Sequence, residues 1–150
     1  SSKKYNCCFK NGARSFIFRE TKRIIMNSGL GIDIIDIRRI RKVISKYGIK
    51  FKKRCFSSSE IERSERKKNS IESYAKRYAA KEACAKALGT GLAKGVFWKD
   101  IEVYNNEFGK PFILLHNKAK KIHISKFNNS NIELSLSDER DFAIANVIIF

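Results

Sequence analysis

The sequence predicts a single α+β domain in which a small antiparallel sheet packs with helices. The segment 73–88 contains no Gly or Pro and is rich in Ala, Lys and Glu, so intrinsic propensity favours a helix there. The stretches 100–116 and 132–150 each hold two β-rich runs around a polar turn, which is typical of antiparallel hairpins. The length of 150 residues fits one domain.

Residues 1–28 are basic and contain a single acid, Glu20. This composition is typical of what remains of an organellar transit peptide, and the alternative is a family-specific extension or an expression remnant. We therefore assign 1–28 to a basic N-terminal extension or transit-peptide remnant, and 29–150 to the functional domain.

The run from Gly29 to Ile35 is rich in Ile and opens with glycines, which predicts a buried strand. Asp33 interrupts this run, and burying an acid is costly unless a cation or backbone donors pair with it. Two alternatives stay open on these residues alone. Either Asp33 is satisfied by nearby amides or a lysine, or it is a metal ligand.

Asp36 is a candidate N-cap of a helix that is apolar on one face and basic on the other. The apolar stripe comprises Ile37, Ile40, Val43, Ile44 and Tyr47, and the basic face comprises Arg38, Arg39, Arg41, Lys42 and Lys46. The basic face is either a solvated surface or a docking surface for an acidic helix or a phosphate backbone.

Three further segments complete the secondary-structure prediction. Residues 57–60 form an N-capping cluster that begins another helix, and the highly charged segment 61–70 predicts a mobile, exposed connection. Residues 117–127 predict a basic amphipathic helix between the two hairpins. His116 and His123 lack any partner at a catalytic or ligand spacing, so we expect structural or surface roles for both.

The helix over 73–88 carries an acid and a base on one face. Tyr78, Glu82 and Lys86 are spaced by four and therefore stack along the helix. Gly89 and Gly91 follow and provide the turn that ends it. The alternative for Glu82 and Lys86 is an ordinary solvated ion pair, which stabilises a helix by ~0.3 kcal/mol.

The net charge of +17 predicts an anionic partner, whether nucleic acid, membrane surface, phosphorylated cofactor or acidic protein. Part of this charge is compositional, because abundant Lys, Asn and Ile are typical of AT-biased codon usage. The four cysteines contain no CxxC pair, which favours reduced thiols over a metal knuckle. No apolar run approaches the length of a membrane span.

Taken together, Asp33, Glu82, Lys86 and the glycine turn fit a divalent cation that holds phosphate oxygens. Mg²⁺ is usually bound by one or two carboxylates together with substrate phosphates. Lys86 would then face the transferring phosphoryl group or the leaving oxygen.

Several ordered blocks resemble the holo-[acyl-carrier-protein] synthase family of small 4′-phosphopantetheinyl transferases. The blocks are GIDIIDIRRI (31–40), F-x-x-R (51–54), SSSE (57–60), RYAAKEACAKALGTGL (77–92), DIEV (100–103), GKP (109–111) and LSLSDERDFAIANVIIF (134–150). The resemblance runs from about residue 30 to residue 150, so residues 1–28 fall outside it.

The resemblance implies transfer of phosphopantetheine from coenzyme A to a serine of acyl carrier protein, for type II fatty-acid synthesis, with release of 3′,5′-ADP. Asp33 and Glu82 resemble the Mg²⁺ ligands of the family. Lys86 would assist the leaving group, and Glu82 would accept the serine proton. The nucleotide pocket would be lined by Lys81, Gly89 and Gly91.

The resemblance also implies partners and an assembly. Arg39 and Lys42 would dock the acidic recognition helix of the carrier protein, with Phe51 and Tyr78 as apolar contacts. Many relatives carry His where this chain has Asp138, at a position near the nucleotide in the family, so the resemblance implies that Asp138 is a cofactor-binding residue that departs from the family pattern. The family fold is a small α+β unit that usually forms a homotrimer with sites between subunits.

Two other functions compete with this interpretation. A basic nucleic-acid-binding module is supported by net charge and by aromatics such as Phe9, Phe16, Phe18 and Tyr47, although no nucleic-acid motif is present. An inactive relative that only docks carrier protein is disfavoured because both acids and Lys86 are present. For location, the basic extension predicts a plastid-like organelle of the apicoplast type, with the cytoplasm as the alternative.

Overall fold

A computed structural model describes residues 27–150, so residues 1–26 of the predicted extension lie outside it. In chain order the elements are β1 (Gly29–Asp36), α1 (Ile37–Cys55), α2 (Ser58–Glu65), α3 (Ser70–Ala87), a 3-10 turn (Trp98–Asp100), β2 (Ile101–Asn105), β3 (Pro111–Leu115), α4 (Asn117–Phe127), β4 (Ile132–Glu139) and β5 (Phe142–Ile149). The predicted α+β class is confirmed.

The strands form two antiparallel sheets, a three-stranded sheet in the order β1-β5-β4 and a two-stranded sheet of β2 and β3. Both predicted hairpins are present. Strand β1 pairs with β5 along its whole length, from Gly29 opposite Ile149 to Asp36 opposite Phe142. Asp33 therefore lies in the middle of an edge strand.

Helix α3 packs against the three-stranded sheet and is enclosed on most of its surface. Its buried alanines are Ala75, Ala79, Ala80, Ala83, Ala85 and Ala87. The end of the helix is as predicted, because Gly89 takes a left-handed φ of 75° and the Gly91 N–H donates to the carbonyl of Ala85 at 3.0 Å.

Two glycines bring β1 into direct contact with the backbone of α3. A Cβ at Gly31 would collide with the carbonyl oxygen of Ala83, and a Cβ at Gly29 would collide with that of Ala87. Two residues along a strand cover nearly the same distance as one helical turn, so the strand follows the helix. This contact carries Asp33 to the side of α3.

Helix α1 begins as predicted, since the Asp36 carboxylate accepts a hydrogen bond from the backbone N–H of Arg38 at 2.8 Å. The helix is interrupted at Gly48, where φ is 50° and ψ is −127°. Tyr47, beside this break, is 51% exposed, so the predicted apolar stripe ends before it.

Helix α2 begins with a capping box. The Ser57 hydroxyl accepts from the Glu60 backbone N–H at 3.3 Å, and the Glu60 carboxylate accepts from the Ser57 backbone N–H at 2.8 Å. The prediction of an exposed connection over 61–70 is wrong in its first half, because α2 continues to Glu65 and buries Ser64. Within residues 27–150, no helix combines the length and apolarity needed to cross a membrane.

Candidate active site

The predicted acid and lysine side chains meet where the middle of β1 lies against α3. Lys86 Nζ lies 2.8 Å from Oδ1 of Asp33 and also donates to the carbonyl of Ile32 at 3.0 Å. Glu82 precedes Lys86 by one helical turn on the same face of α3. The strand and the helix therefore place two carboxylates and one ammonium group on the same side of the molecule.

Glu82 is the carboxylate whose proton affinity the fold changes. Its pKa is raised, first by burial and second by the negative charge of Asp33, while the positive charge of Lys86 opposes the rise. Glu82 is half-buried and accepts no side-chain hydrogen bond from Lys86, whose ammonium is bound to Asp33. A second cation placed between the carboxylates would relieve their repulsion.

The donor set fits a hard divalent cation that shares its ligands with a substrate. Carboxylate oxygens are the ligands that Mg²⁺ prefers, and Mg²⁺ usually takes one or two of them. Within residues 27–150, no group of three or more His, Cys, Asp or Glu side chains is placed to hold a metal ion. The protein offers Asp33 and Glu82 here, and the other ligands would come from water and from substrate oxygens.

A row of aromatic rings borders the two carboxylates. The ring of Tyr78 lies 4.2 Å from the ring of Trp98 and 6.2 Å from that of Phe51, centroid to centroid. Burial, and then the charge of Glu82, raises the pKa of Tyr78 to about 12, so its hydroxyl stays protonated at neutral pH. The row provides an apolar wall beside the charged groups.

The basic face of α1 adjoins this aromatic row. Arg39 and Lys42 are both exposed. The positive charge of Arg39 lowers the pKa of Tyr78, although burial and the charge of Glu82 raise it by more. Phe51, which is predicted to contact the carrier protein together with Arg39 and Lys42, is half-buried in the aromatic row. Arg39 and Phe51 therefore both lie near Tyr78, and Lys42 is exposed on the same helix as Arg39.

A basic cavity of about 610 Å³ opens near the N-terminal end of α3. It lies between the α2–α3 connection, the first turns of α3, the β2–β3 hairpin and β4. The cationic residues that line it are Arg63, Lys67, Lys68, Lys76 and Arg77. Arg77 is buried, and its Nε has no hydrogen-bond partner among residues 27–150. Such a cavity favours an anionic ligand.

Residues 29–147 match the family model described as the 4′-phosphopantetheinyl transferase superfamily. The chain belongs to this superfamily. A holo-[acyl-carrier-protein] synthase of Agrobacterium fabrum is 50% identical over 124 residues, which cover 81% of this chain and 92% of that protein. The family resemblance of the sequence is confirmed.

Solved structures of the family have the same fold. The holo-[acyl-carrier-protein] synthase of Neisseria meningitidis aligns with a TM-score of 0.73 at 33% identity, over 81% of this chain and 97% of that one. The synthase of Helicobacter pylori, solved in complex with coenzyme A, aligns with a TM-score of 0.71 at 35% identity, over 81% of this chain and 99% of that one.

One residue assignment within this transferase fold is wrong. Lys81 was predicted to line the nucleotide pocket, but its side chain has no exposed surface. Its ammonium is bound to the carboxylate of Glu60 at 2.8 Å and to the carbonyls of Trp98 and Ile101. Lys81 and Glu82 are adjacent in sequence and project to different sides of α3, and only Glu82 reaches the site.

The other predicted cofactor-binding residues lie at two ends of α3. Gly91 has a positive φ of 59° and open space around its Cα, while a Cβ at Gly89 would meet Lys126 Nζ at 3.0 Å. Asp138 lies on β4, where its carboxylate is 2.7 Å from Nζ of Lys76. Lys76 lines the basic cavity, so Asp138 adjoins that cavity through a salt bridge.

The sequence did not single out Trp98 or the basic residues of the cavity. The signal for the cavity was the charged segment 61–70, which was interpreted as a solvated connection. The signal for Trp98 was weaker, because a single tryptophan after a glycine-rich stretch has no periodic context.

Proposed function

We propose that this protein transfers 4′-phosphopantetheine from coenzyme A to a serine hydroxyl of an acyl carrier protein. The proposal is carried by one observation, the meeting of Asp33, Glu82 and Lys86 between β1 and α3 in a chain of the phosphopantetheinyl transferase superfamily. In this reaction the serine oxygen forms a bond to the phosphorus that carries pantetheine. The phosphoanhydride bond breaks, and 3′,5′-ADP leaves.

Asp33 and Glu82 would hold Mg²⁺ together with the pyrophosphate of coenzyme A. When bound, the ion would neutralise negative charge on the pyrophosphate oxygens. Lys86 would add a positive charge on the side of the leaving 3′,5′-ADP, because its ammonium already lies at the edge of this site.

Glu82 is the residue proposed to accept the serine proton. Burial and the negative charge of Asp33 raise the pKa of Glu82, so before a metal ion binds its carboxylate accepts a proton more readily than an ordinary glutamate. The proton that leaves the serine hydroxyl would therefore reach the Glu82 carboxylate directly or through one water molecule.

The basic cavity is the proposed location of the 3′-phosphoadenosine part of coenzyme A. It has the size of a small-ligand site and five cationic side chains, and it lies on the same helix as Glu82. The Helicobacter pylori synthase, which binds coenzyme A, has the same fold. Gly89, Gly91 and Asp138 remain candidate coenzyme-binding residues, with Asp138 acting on the cavity through Lys76.

The basic face of α1 is the proposed docking surface for the carrier protein. Arg39 and Lys42 would pair with an acidic helix, and Phe51 and Tyr78 would supply apolar contacts.

The outer face of the three-stranded sheet supports contact with further copies of the chain, for which the family resemblance implies a homotrimer. Large apolar side chains on this face are exposed, namely Leu30, Ile32, Ile34, Ile144 and Ile148. Exposed apolar side chains clustered on one sheet face are typical of a protein–protein contact. Analytical ultracentrifugation at micromolar concentration is expected to give three chains per particle, and a monomer would remove the trimer from the proposal.

Mass spectrometry of the carrier protein tests the activity itself. The protein, Mg²⁺ and coenzyme A are expected to convert apo acyl carrier protein into a species heavier by one phosphopantetheine, with equimolar 3′,5′-ADP. An Asp33→Asn, Glu82→Gln double variant serves as the control that lacks both carboxylates. No mass gain with an active carrier protein, across several divalent metals, would overturn the proposal.

Location in a plastid-like organelle stays a prediction that depends on residues 1–28. The curated relatives are bacterial proteins, and the family model matches residues 29–147. Imaging of the full-length precursor in a plastid-bearing cell is expected to show organellar signal, whereas a uniform cytosolic signal would favour the alternative.

A further inference from the structure

Among residues 27–150, the ion pair of Lys81 and Glu60 is the one without any exposed surface. Lys81 Nζ lies 2.8 Å from Oε2 of Glu60, and the relative exposure of both side chains is 0%. Removing two charges from water is costly, and the attraction between them offsets that cost only when further hydrogen bonds satisfy both groups. The other hydrogen bonds of the two side chains therefore decide whether such a buried pair is stable.

Every polar group of this pair is hydrogen-bonded. Lys81 donates to the carbonyl of Trp98 at 3.0 Å and to that of Ile101, in addition to Glu60. Glu60 accepts from the backbone N–H of Ser57 at 2.8 Å and from that of Val103 at 3.0 Å. The pair joins the start of α2, the middle of α3, the 3-10 turn and β2.

These contacts lead to the active site by two short routes. The first is along α3, because Lys81 and Glu82 are consecutive and any rotation of the helix that moves one moves the other. The second is through Trp98, whose carbonyl accepts from Lys81 and whose ring packs 4.2 Å from the ring of Tyr78. Tyr78 stands one helical turn from Glu82.

We propose that Lys81 and Glu60 are positioning residues for the transferase site, because their buried ion pair fixes the rotation of α3 and the placement of Trp98. The pair thereby sets the direction of Glu82 towards Asp33 and the apolar wall at Tyr78. This inference rests on the proposed function for its catalytic consequence. Its structural consequence, the placement of Trp98, can be measured without any activity.

The double variant Lys81→Met, Glu60→Gln tests the proposal with net charge unchanged. Met fills the volume of the lysine stem, and the Gln amide oxygen still accepts from a backbone N–H, so we expect a cooperative fold. Trp98 is the only tryptophan of the chain, so its fluorescence reports directly on the 3-10 turn. The emission maximum is expected to shift, and kcat is expected to fall at least ~10-fold because a small misplacement of catalytic groups is costly.

The KM for coenzyme A is expected to change less than kcat, since the basic cavity does not include the buried pair. The matched control is Lys110→Met, Glu133→Gln, which applies the same substitutions to a pair that is 50% and 48% exposed. This control is expected to keep both the wild-type emission and the wild-type kcat.

A folded double variant with unchanged Trp98 emission and unchanged kcat would overturn the proposal. If the double variant does not fold, the single variant Glu60→Asp decides, because it keeps both charges of the buried pair and shortens the acidic side chain by one methylene. The same two readouts then apply, with smaller changes expected. If the wild type transfers no phosphopantetheine, the proposed function fails, whereas the emission comparison still tests the placement of Trp98.

Discussion

Lys81 and Lys86 lie five residues apart on α3, and each pairs with a carboxylate, yet their surroundings are opposite. The Lys81–Glu60 pair has no exposed surface, whereas Lys86 is 49% exposed and its partner Asp33 is 16% exposed. The buried pair has all its hydrogen bonds within the protein and resists rearrangement. The open pair can exchange partners with a ligand, which is what a phosphate-binding site requires.

The largest effect expected from this difference is on stability. Lys81→Ala leaves the Glu60 carboxylate buried without its cation, so the free energy of unfolding should fall by about 3–5 kcal/mol. Lys86→Ala removes a partly exposed partner and should cost only about 0–1 kcal/mol. Urea unfolding of both variants measures the two values. Equal losses of unfolding free energy in the two variants would show that burial does not distinguish the two ion pairs.

The next effect concerns activity at the open pair. Glu82→Gln removes the proposed base and one metal ligand, so transfer of phosphopantetheine should fall at least ~100-fold. The midpoint of thermal unfolding should stay the same or rise slightly, because the repulsion between Glu82 and Asp33 is removed. Glu133→Gln on the exposed surface is the matched control. Retained activity at saturating Mg²⁺ would show that Glu82 has another role.

A smaller effect is expected where β1 contacts α3. Gly31→Ala places a Cβ against the carbonyl of Ala83, which should cost about 1–3 kcal/mol and push Asp33 away from Lys86. Both the free energy of unfolding and the transfer rate should fall. Gly48→Ala is the comparison, because its Cβ meets open space and only its positive φ is penalised. Wild-type activity in Gly31→Ala would contradict the close contact.

The smallest effect is the titration of Glu82 without metal. Its pKa should lie above the ordinary value of 4.5, fall in Asp33→Asn and rise in Lys86→Met, since these two charges act in opposite directions. Because the folded protein binds this proton more tightly than the unfolded chain, the contribution of Glu82 to stability increases as pH falls through the raised pKa. Carbon-13 NMR of the side-chain carboxyl measures the shift, and a pKa at or below 4.5 would contradict the geometry.

Much of the fold was predictable from local sequence. Capping residues, glycine turns and alternating β-rich runs placed α1, the end of α3 and both hairpins. The pairing of β1 with β5 was not predictable, because more than a hundred residues separate Gly29 from Ile149 and neither run specifies its partner. The meeting of Asp33 with the Glu82 face depended on this distant pairing and on two glycines.

The distinction between Lys81 and Lys86 was also beyond local sequence. Helix α3 carries alanines on most of its sides, so no alternation of large apolar and polar residues marks its inner and outer faces. Glu60 was predicted to cap α2, which it does, but its second role as the buried partner of Lys81 arises from tertiary contact. A buried lysine is rare enough that composition alone argues against it.

Strand β1 serves two faces of the protein with alternate residues. Asp33 points towards α3, while its neighbours Ile32 and Ile34 belong to the exposed apolar face, and the carbonyl of Ile32 accepts a hydrogen bond from Lys86. Substitutions at these isoleucines would therefore affect both the proposed subunit contact and the position of Asp33 and Lys86. Ile148, on the neighbouring strand, is therefore the cleaner position for separating assembly from chemistry.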